Sequence, residues 1–363
     1  MGSNSISESF KKNPLNLSNI IPLDFEKVPT LPVSHTWTLT TDPPSVDPFA
    51  HEPLPVIDLN DPQAVTLIGH ACEKWGVFQV TNHDIPISLL NEIEYHSRRL
   101  FALPAQRKLL AVRSHDGLTG YGLARISTFF PKLMWFEGFS IMGSLMEHAS
   151  RLWPHDHTNF CNVMEDYQKE MKDLTERIIE QMFKSLGLAQ DDVKWFKPRN
   201  GHCEPQAMLQ LNSYPVCPDP RHAMGLAPHT DSSLVTLLYQ SSISSGLQVL
   251  RDNIEWVPVH PIDGALVVNA GDLMHIISNG RFKSALHRAV VNKTHHRISI
   301  AYFYGPPRDI KISPSVKLID HDHPILYRPV TWKEYLDAKA THFNKALEFI
   351  RHDVLVANTC NQS

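Results

Sequence analysis

The spacing of hydrophobic positions changes close to residue 205 of this 363-residue chain. Before that point, apolar side chains recur about every 3.6 residues in several segments, as they do on one face of a helix. After it, short runs alternate apolar and polar residues between Gly, Pro, Asn and Asp, as in strands joined by turns. The pattern predicts a helix-rich first part and a β-rich second part.

In the first part, the pattern predicts short strands and longer helices. A proline-rich stretch over residues 1–53 precedes them and is expected to lie as an arm over the domain. Gly76 ends the first helix, and Pro86 favours the start of the second, because proline fits the first turn of a helix. The predicted elements are strand 55–59, helix 63–75, strand 77–80, helix 86–103 and helix 160–186.

In the second part, short β-rich runs recur at regular spacing. They indicate an antiparallel sandwich or jelly roll, because a parallel sheet would alternate with helices. A closing helix begins at a capping box formed by Thr331 and Glu334, and is expected to run to about Arg351 and to pack outside the barrel. The runs are 207–213, 233–239, 246–250, 256–259, 265–269, 284–292 and 297–304.

These elements predict an α+β fold. Its core is a double-stranded β-helix, or jelly roll, with flanking N-terminal helices and a C-terminal helix. The predicted regions are an N-terminal helical and mixed region at 1–200, the jelly-roll core at 201–330, and a C-terminal helix and tail at 331–363. The tail from residue 358 onward is expected to be frayed.

The composition narrows the possible functions. A net charge of −4, with Lys and Arg spread along the chain, leaves no basic surface for nucleic acid. No apolar run approaches the ~20 residues that cross a bilayer. Five cysteines, an odd number without C-x-x-C spacing, indicate neither a disulfide framework nor a zinc knuckle. The sequence predicts a cytoplasmic protein without nucleic-acid or membrane partners, and leaves its oligomeric state open.

One histidine–carboxylate pair stands at the start of a predicted strand. His229 and Asp231 are two residues apart, so their side chains would project from the same face of that strand. His287 lies in another β-rich run, which can bring a third ligand alongside. Two histidines and one carboxylate that leave three positions open on an octahedral metal form the facial triad of non-haem iron(II) oxygenases.

Spacing alone does not select this pair, because the chain has 21 histidines. Segments 155–157 and 321–323 both read His-Asp-His and offer the same spacing. Each adjoins a proline, Pro154 or Pro324, in turn-like sequence where a rigid shared face is not expected. The choice of His229 and Asp231 therefore depends on a second motif in register with them.

That second motif lies on the predicted strand that follows His287. Arg297 and Ser299 share the face on which we place the metal. The planar guanidinium binds a carboxylate through two N–H groups, and the serine hydroxyl adds one donor. Tyr214, at the end of the strand before the metal pair, can donate its phenol to the same carboxylate. A half-buried core aromatic is the alternative interpretation of Tyr214.

In their order along the chain, these motifs resemble the plant 2-oxoglutarate-dependent dioxygenases. The order is Asn-x-Tyr-Pro-x-Cys from Asn212, then His-x-Asp, His and Arg-x-Ser; the run Trp-Gly-Val-Phe-Gln-Val-Thr-Asn-His at 75–83 is also similar. Asp84 departs from the family, in which glycine usually follows that histidine. Segments that resemble the gibberellin 3-oxidases in particular are 120–127, 134–139, 271–273, 278–280 and 341–347.

The resemblance implies Fe(II) and 2-oxoglutarate as cofactors, O2 as cosubstrate and ascorbate as reductant. The implied reaction adds a 3β-hydroxyl to a gibberellin precursor, a diterpenoid acid, and gives succinate and carbon dioxide. The implied catalytic residues are the metal ligands His229, Asp231 and His287, together with Arg297. The implied 2-oxoglutarate contacts are Arg297, Ser299, Tyr214 and Asn212.

For the substrate we predict an apolar wall, an aromatic lid and a cation for its carboxylate. Phe303 is in phase with Arg297 on its strand, so it is expected on the wall. The lid candidates can equally be plain core residues. The lid candidates are Trp135, Phe136 and Phe139, and the candidate cations are Arg125 and Lys132.

Two alternatives stay open. The same chemistry can act at another gibberellin position or on a flavonoid. A non-catalytic jelly roll can hold a metal for structure or sense 2-oxoglutarate. A purely structural site has no need of open coordination positions, and this favours an enzyme.

Overall fold

Two β-sheets form the centre of the protein, whose computed structural model describes residues 23–38, 53–114, 117–196, 204–241 and 245–352. The strands, in chain order, are β1 (Val56–Asp58), β2 (Val77–Thr81), β3 (Gly120–Gly122), β4 (Glu137–Ile141), β5 (Gln206–Tyr214), β6 (Leu226–His229), β7 (Val235–Gln240), β8 (Leu247–Arg251), β9 (Glu255–Pro258), β10 (Leu266–Ala270), β11 (His287–Ala289), β12 (Arg297–Gly305), β13 (Lys311–Ile312) and β14 (Val330–Thr331).

The larger sheet has eight strands in the order β1-β2-β10-β7-β12-β5-β4-β3, and the smaller has four in the order β6-β11-β8-β9. Strands β1 and β2 are parallel, whereas the central pairs of both sheets are antiparallel. Val249 and Val257 of the smaller sheet share a buried cluster with Leu238, Val267 and Ala301 of the larger one. The two sheets therefore pack against each other, and the predicted jelly-roll core is confirmed.

Helices cover the larger sheet. The long helix α5 (His157–Ser185) buries one apolar face, which includes Met164, Tyr167, Met171 and Ile178, in the main hydrophobic core. No helix among the described residues combines the length and the apolar character needed to cross a membrane. The helices are α1 (Ala64–Lys74), α2 (Ile87–Phe101), α3 (Ala105–Lys108), α4 (Met146–Leu152), α5 (His157–Ser185), α6 (Asp272–Ile277), α7 (Trp332–His342) and α8 (Ala346–Phe349).

The helices predicted at 63–75, 86–103 and 160–186 are confirmed within a few residues. The closing helix is shorter than predicted, because the chain turns at Phe343, where φ is +47°, and resumes as the short helix α8. The predicted strand 284–292 is reduced to β11, whose pairing with β6 is irregular.

Strands β3, β4 and β6 were not predicted from the sequence. Glycines at 120, 122 and 138 and a proline at 228 lie within them, and both residue types are depleted in strands. Strand β4 pairs with β5, so the larger sheet combines strands from both sides of the boundary drawn near residue 200.

Part of the predicted N-terminal arm lies within the described residues. Phe25 and Trp37 pack against a buried cluster that contains Met134 and Trp135, and the Trp37 indole donates to the carbonyl oxygen of Leu133 at 2.8 Å. The rest of the arm and the tail predicted to fray lie outside the described residues.

The turn after β2 accounts for the family's preference for glycine at position 84. Asp84 has φ of +68°, a backbone conformation that glycine adopts easily and that aspartate tolerates better than most residues. Its Oδ2 accepts from Nη1 of Arg177 at 2.9 Å, and Nη2 of the same arginine donates to the carbonyl oxygen of His83 at 2.7 Å. The aspartate thus fits the turn and adds a surface ion pair.

Replacing Asp84 with glycine or alanine tests this account. Both variants lose the ion pair, so the difference between them reports the backbone alone. We expect Asp84→Ala to unfold about 1 kcal/mol more easily than Asp84→Gly, because alanine is disfavoured at positive φ. Urea denaturation measures both free energies of unfolding, and equal values would contradict the account.

Candidate active site

Three side chains converge between the two sheets. His229 ends β6 and His287 begins β11, and the two residues lie directly opposite each other in this antiparallel pair. Asp231 follows two residues after His229. Nε2 of each histidine lies 3.8 Å from Oδ1 of Asp231, and the three possible donor atoms are all within 4.8 Å of one another. Side chains at these distances can all bind a single cation.

The convergence has a different local origin from the one predicted. His229 and Asp231 do not lie on one strand, because β6 ends at His229 and Asp231 belongs to the segment that leads into β7. The backbone N–H of Asp272 holds this segment by donating to the carbonyl oxygen of Asp231 at 2.8 Å. The carboxylate is therefore aimed by a turn and not by strand alternation.

Hydrogen bonds orient each of the three groups. Nδ1 of His229 lies 2.8 Å from the carbonyl oxygen of Ala227, and Nδ1 of His287 lies 3.0 Å from that of Ala285. We assign the ring proton to Nδ1 in both, which leaves the Nε2 lone pairs directed toward Asp231. The Asn269 amide donates to Oδ2 of Asp231 at 3.1 Å, so Oδ1 faces the histidines.

The protonation states of His229 and Asp231 suit a metal site. Burial, with a smaller effect of the neighbouring His287, lowers the pKa of His229 to about 4. Burial alone would raise the pKa of Asp231, but the neighbouring His287 and His229 bring it below its ordinary value. At neutral pH His229 is neutral and Asp231 is ionised, and these are the protonation states in which imidazole and carboxylate bind a metal.

The rival His-Asp-His segments do not form such a site. His321 and His323 are largely exposed, and the described residues contain no other cluster of three metal-ligating groups. Two imidazoles and one carboxylate match the donor set of a facial triad, so this centre fits Fe(II) with positions left open for other ligands.

A buried guanidinium lies on the wall of the same cavity. Arg297 of β12 is only 2% exposed, and its Nη2 donates to Oε1 of Gln240 at 3.0 Å. Its Nε and Nη1 have no hydrogen-bond partner among the described residues. Asn212 and Tyr214 lie opposite Ser299 and Arg297 on β5, and the guanidinium stands 5.0 Å from the centre of the Tyr214 ring. A carboxylate ligand would satisfy the unpaired N–H groups.

A cavity of about 290 Å³ joins the metal donors to Arg297. Of the residues predicted to contact the substrate, the cavity wall includes Phe303, Phe136 and Arg125. Phe303 has the predicted phase, since Arg297, Ser299 and Phe303 all line the cavity from one face of β12.

The other three predicted contacts lie elsewhere. Phe139 is fully buried on β4 and points away from the cavity, because its neighbour Ser140 points into it. Trp135 is fully buried under the N-terminal arm, edge-on to Phe25 at 4.7 Å. Lys132 donates to the carbonyl oxygen of Val33 at 2.9 Å in an exposed position. None of the three lines the cavity.

Helix α7, which was expected to pack outside the barrel, forms part of the cavity wall. Trp332, Leu336, Lys339 and Phe343 from this end of the chain all line it. Gly305 at the end of β12 permits the approach of Trp332, since a Cβ there would lie 2.0 Å from the indole ring. The Phe343 ring stacks on an aromatic ring of the 125–129 segment at 4.5 Å.

A buried network connects α7 to the metal-binding segment. Asp272 is fully buried, and its Oδ2 accepts from Thr230 at 3.1 Å, from the Tyr335 phenol at 2.6 Å and from Nζ of Lys339 at 2.7 Å. Its Oδ1 accepts from Ser284 at 2.6 Å. This network is not apparent from the sequence, because Thr230, Asp272, Ser284 and the two α7 residues come from separate segments of the chain.

Comparison with known proteins agrees with this site. The model of the 2OG-Fe(II) oxygenase superfamily matches residues 205–306, and the N-terminal model of a non-haem dioxygenase in morphine synthesis matches residues 54–161. The chain belongs to the 2OG-Fe(II) oxygenase superfamily. It is a dioxygenase that uses Fe(II) and 2-oxoglutarate with O2.

Among curated proteins, the chain is 54% identical to gibberellin 3-beta-dioxygenase 3 of Arabidopsis thaliana, over 96% of this chain and 99% of that protein. It is 51% identical to gibberellin 3-beta-dioxygenase 1 of Pisum sativum, over 96% and 94%. Among solved structures, JOX2 in complex with 2OG, Fe and JA has a TM-score of 0.71 at 32% identity, over 85% and 89% of the two chains. The rice dioxygenase for auxin oxidation has a TM-score of 0.68 at 26% identity, over 82% and 99%.

Removing one metal donor tests the centre directly. We expect His287→Ala to weaken Fe(II) binding by more than roughly 100-fold, because even residues that only support a ligand contribute 10- to 100-fold. Anaerobic titration calorimetry measures the affinity. His323→Ala, in a rival segment, is the matched control and should bind as the unmodified protein does. Unchanged binding by His287→Ala would place the metal elsewhere.

Shortening the buried guanidinium tests the 2-oxoglutarate contact. We expect Arg297→Leu to raise the KM for 2-oxoglutarate roughly 10- to 100-fold, since a charge-assisted, two-pronged contact is lost. Arg297→Lys should show a smaller rise, because it keeps the charge without the planar fork. Initial rates at varied 2-oxoglutarate provide the measurement. If the KM of Arg297→Leu does not change, another residue binds the carboxylate.

Proposed function

We propose that this protein hydroxylates a gibberellin precursor at the 3β position and releases succinate and carbon dioxide. The observation that carries this proposal is a single apolar cavity that contains both the buried metal donors and the incompletely paired Arg297. It occurs in a chain more than half identical to a gibberellin 3-beta-dioxygenase over nearly its whole length.

In this proposal, His229, Asp231 and His287 hold Fe(II). When bound with 2-oxoglutarate and dioxygen, the iron supplies the oxidising power that converts a C–H bond to C–OH. The chain keeps His229 neutral and Asp231 ionised, and it fixes all three donors before the metal arrives. The three side chains that would hold the metal all line the cavity.

Arg297 and Ser299, with Asn212 and Tyr214 opposite, bind the distal carboxylate of 2-oxoglutarate. Ser299 accepts from the Asn212 amide at 3.4 Å, which aligns its hydroxyl beside the guanidinium. The Gln240 amide fixes the remaining side of Arg297. These residues would hold the cosubstrate at the end of the cavity formed by β5 and β12.

The rest of the cavity receives the substrate. Phe136 and Phe303 form apolar walls that orient a rigid hydrocarbon body, and orientation decides which carbon is oxidised. Phe343, stacked on its aromatic neighbour, joins the end of α7 to the 125–129 segment and adds an apolar surface to the wall. Arg125 also lines the wall, and its Nη2 donates to the carbonyl oxygen of Gly117 at 2.9 Å.

We also propose that the protein acts in the cytoplasm. Cys72, Cys161 and Cys217 are buried as free thiols, and burial raises the pKa of each above its ordinary value. Unpaired thiols are usual in a reducing compartment. This supports the proposal.

Product analysis tests the function. Purified protein with Fe(II), 2-oxoglutarate and ascorbate should convert gibberellin precursors to 3β-hydroxylated products, and mass spectrometry with authentic standards identifies the position. Omitting ascorbate should shorten the period of linear turnover. Asp231→Ala should form neither product nor substrate-dependent succinate, because one iron ligand is missing. Hydroxylation at another gibberellin position would contradict the proposed 3β position. Hydroxylation of a flavonoid only would contradict the proposed substrate.

A further inference from the structure

A second buried guanidinium lines the cavity. Arg113 is only 5% exposed and precedes β3, where its backbone N–H donates to the carbonyl oxygen of Tyr121 at 2.9 Å. Its Nη1 donates to Oγ of Ser140 at 2.9 Å, and its Nη2 donates to the carbonyl oxygen of Leu123 at 2.6 Å. Its Nε has no hydrogen-bond partner among the described residues.

The partners of Arg113 are neutral, which is unusual for a buried charge. A guanidinium has five N–H groups, and Ser140 and Leu123 use only two of them. No carboxylate of the described residues forms a salt bridge with Arg113. Removing a charge from water without a counter-charge is strongly unfavourable. Burial accordingly lowers the pKa of Arg113 to about 10, so the group is still a cation at neutral pH.

The buried lysines show the contrast. Lys108 is paired with Glu137, and Lys339 with Asp272, so each carries its own counter-charge. Arg297 and Arg113 both lack one among the described residues, and both line the same cavity. Since Arg297 is assigned to the carboxylate of 2-oxoglutarate, Arg113 is left for a second anion.

The two arginines reach the cavity from different strands of the larger sheet, since Arg113 is bonded to β4 and Arg297 belongs to β12. Arg113 is bonded to Ser140 of β4, and Ser140 pairs with Gln210 of β5, which in turn pairs with Ala301 of β12. Two strand spacings, about 10 Å, therefore separate the Arg113 contact from β12. This spacing favours separate anions at the two arginines, with the Arg113 anion in the part of the cavity left for the substrate.

We propose that Arg113 binds the carboxylate of the substrate and that Ser140 and Gln210 position it. Oγ of Ser140 accepts from Arg113 and donates to Oε1 of Gln210 at 2.7 Å, so the two side chains fix the guanidinium from the sheet side. Gly122 leaves room for it, since a Cβ there would lie 2.8 Å from Nη2. This inference rests on the proposed function, which supplies an apolar acid as the substrate.

Anaerobic binding of a gibberellin precursor and of its methyl ester to the holoprotein with Fe(II) and 2-oxoglutarate tests the inference. The unmodified protein should bind the free acid roughly 10- to 100-fold more tightly than the ester, because esterification removes the charge. Arg113→Met should lose this preference by binding the acid as weakly as the ester. Arg113→Lys should recover part of it.

Arg281→Met makes the same change at an exposed position, paired with Glu73 on the surface, and should keep the preference for the acid. A purely structural role for Arg113 would weaken acid and ester binding equally, and would overturn the inference. Equal binding of acid and ester by the unmodified protein would also overturn the inference, and this measurement does not depend on whether a variant folds. If Arg125→Met alone lost the preference, Arg125 would be the carboxylate contact.

Binding and turnover are read separately. Failure to form 3β-hydroxylated product while acid is still preferred over ester would reject the proposed reaction and keep the anion site. Normal product formation by Arg113→Met with an unchanged preference for the acid would reject the anion site and keep the reaction.

Discussion

The pairing of β6 with β11 is the constraint on which the active site depends. It places His287 directly opposite His229, with ring centres 4.3 Å apart. A shift of one residue in this register would turn one imidazole to the other face of the smaller sheet. The pairing of β11 with β8 holds the strand from its other edge, so the histidine is fixed from both sides. Asp231 can complete the site only because this pair is already in place.

The same cavity shows how the chain distributes charge before any ligand arrives. Buried cations that serve the fold carry their own carboxylates, as in the pairs Lys108–Glu137 and Lys339–Asp272. Arg297 and Arg113 face the cavity with N–H groups that the described residues do not use. An unpaired buried charge is costly to the fold, and a ligand that neutralises it recovers this free energy as affinity. A buried cation without a carboxylate partner therefore indicates a ligand site, whereas a buried cation with such a partner does not.

Strand periodicity allowed much of the site to be predicted. Arg297, Ser299 and Phe303 line the cavity from one face of β12, as their alternation required. Asp231 lies with the two histidines, but for a different local reason from the predicted one, because the turn that aims it depends on the backbone of Asp272, distant in sequence. Trp135 and Phe139 are candidates only because they are aromatic. The sequence does not show that Phe139 lies on the far face of β4, a strand that was not predicted, or that the N-terminal arm covers Trp135.

The sequence also does not show that α7 forms part of the cavity wall. Its capping box predicted where the helix begins but carried no information about what the helix would contact. The position of α7 depends on two residues outside it. Gly305 leaves room for the Trp332 ring, and Asp272 accepts hydrogen bonds from Tyr335 and Lys339. Asp272 also accepts a hydrogen bond from Thr230, so the same carboxylate bonds both α7 and the segment between His229 and Asp231. The cavity wall and the metal donors are therefore joined through one buried carboxylate, which fixes α7 relative to the segment that carries Asp231.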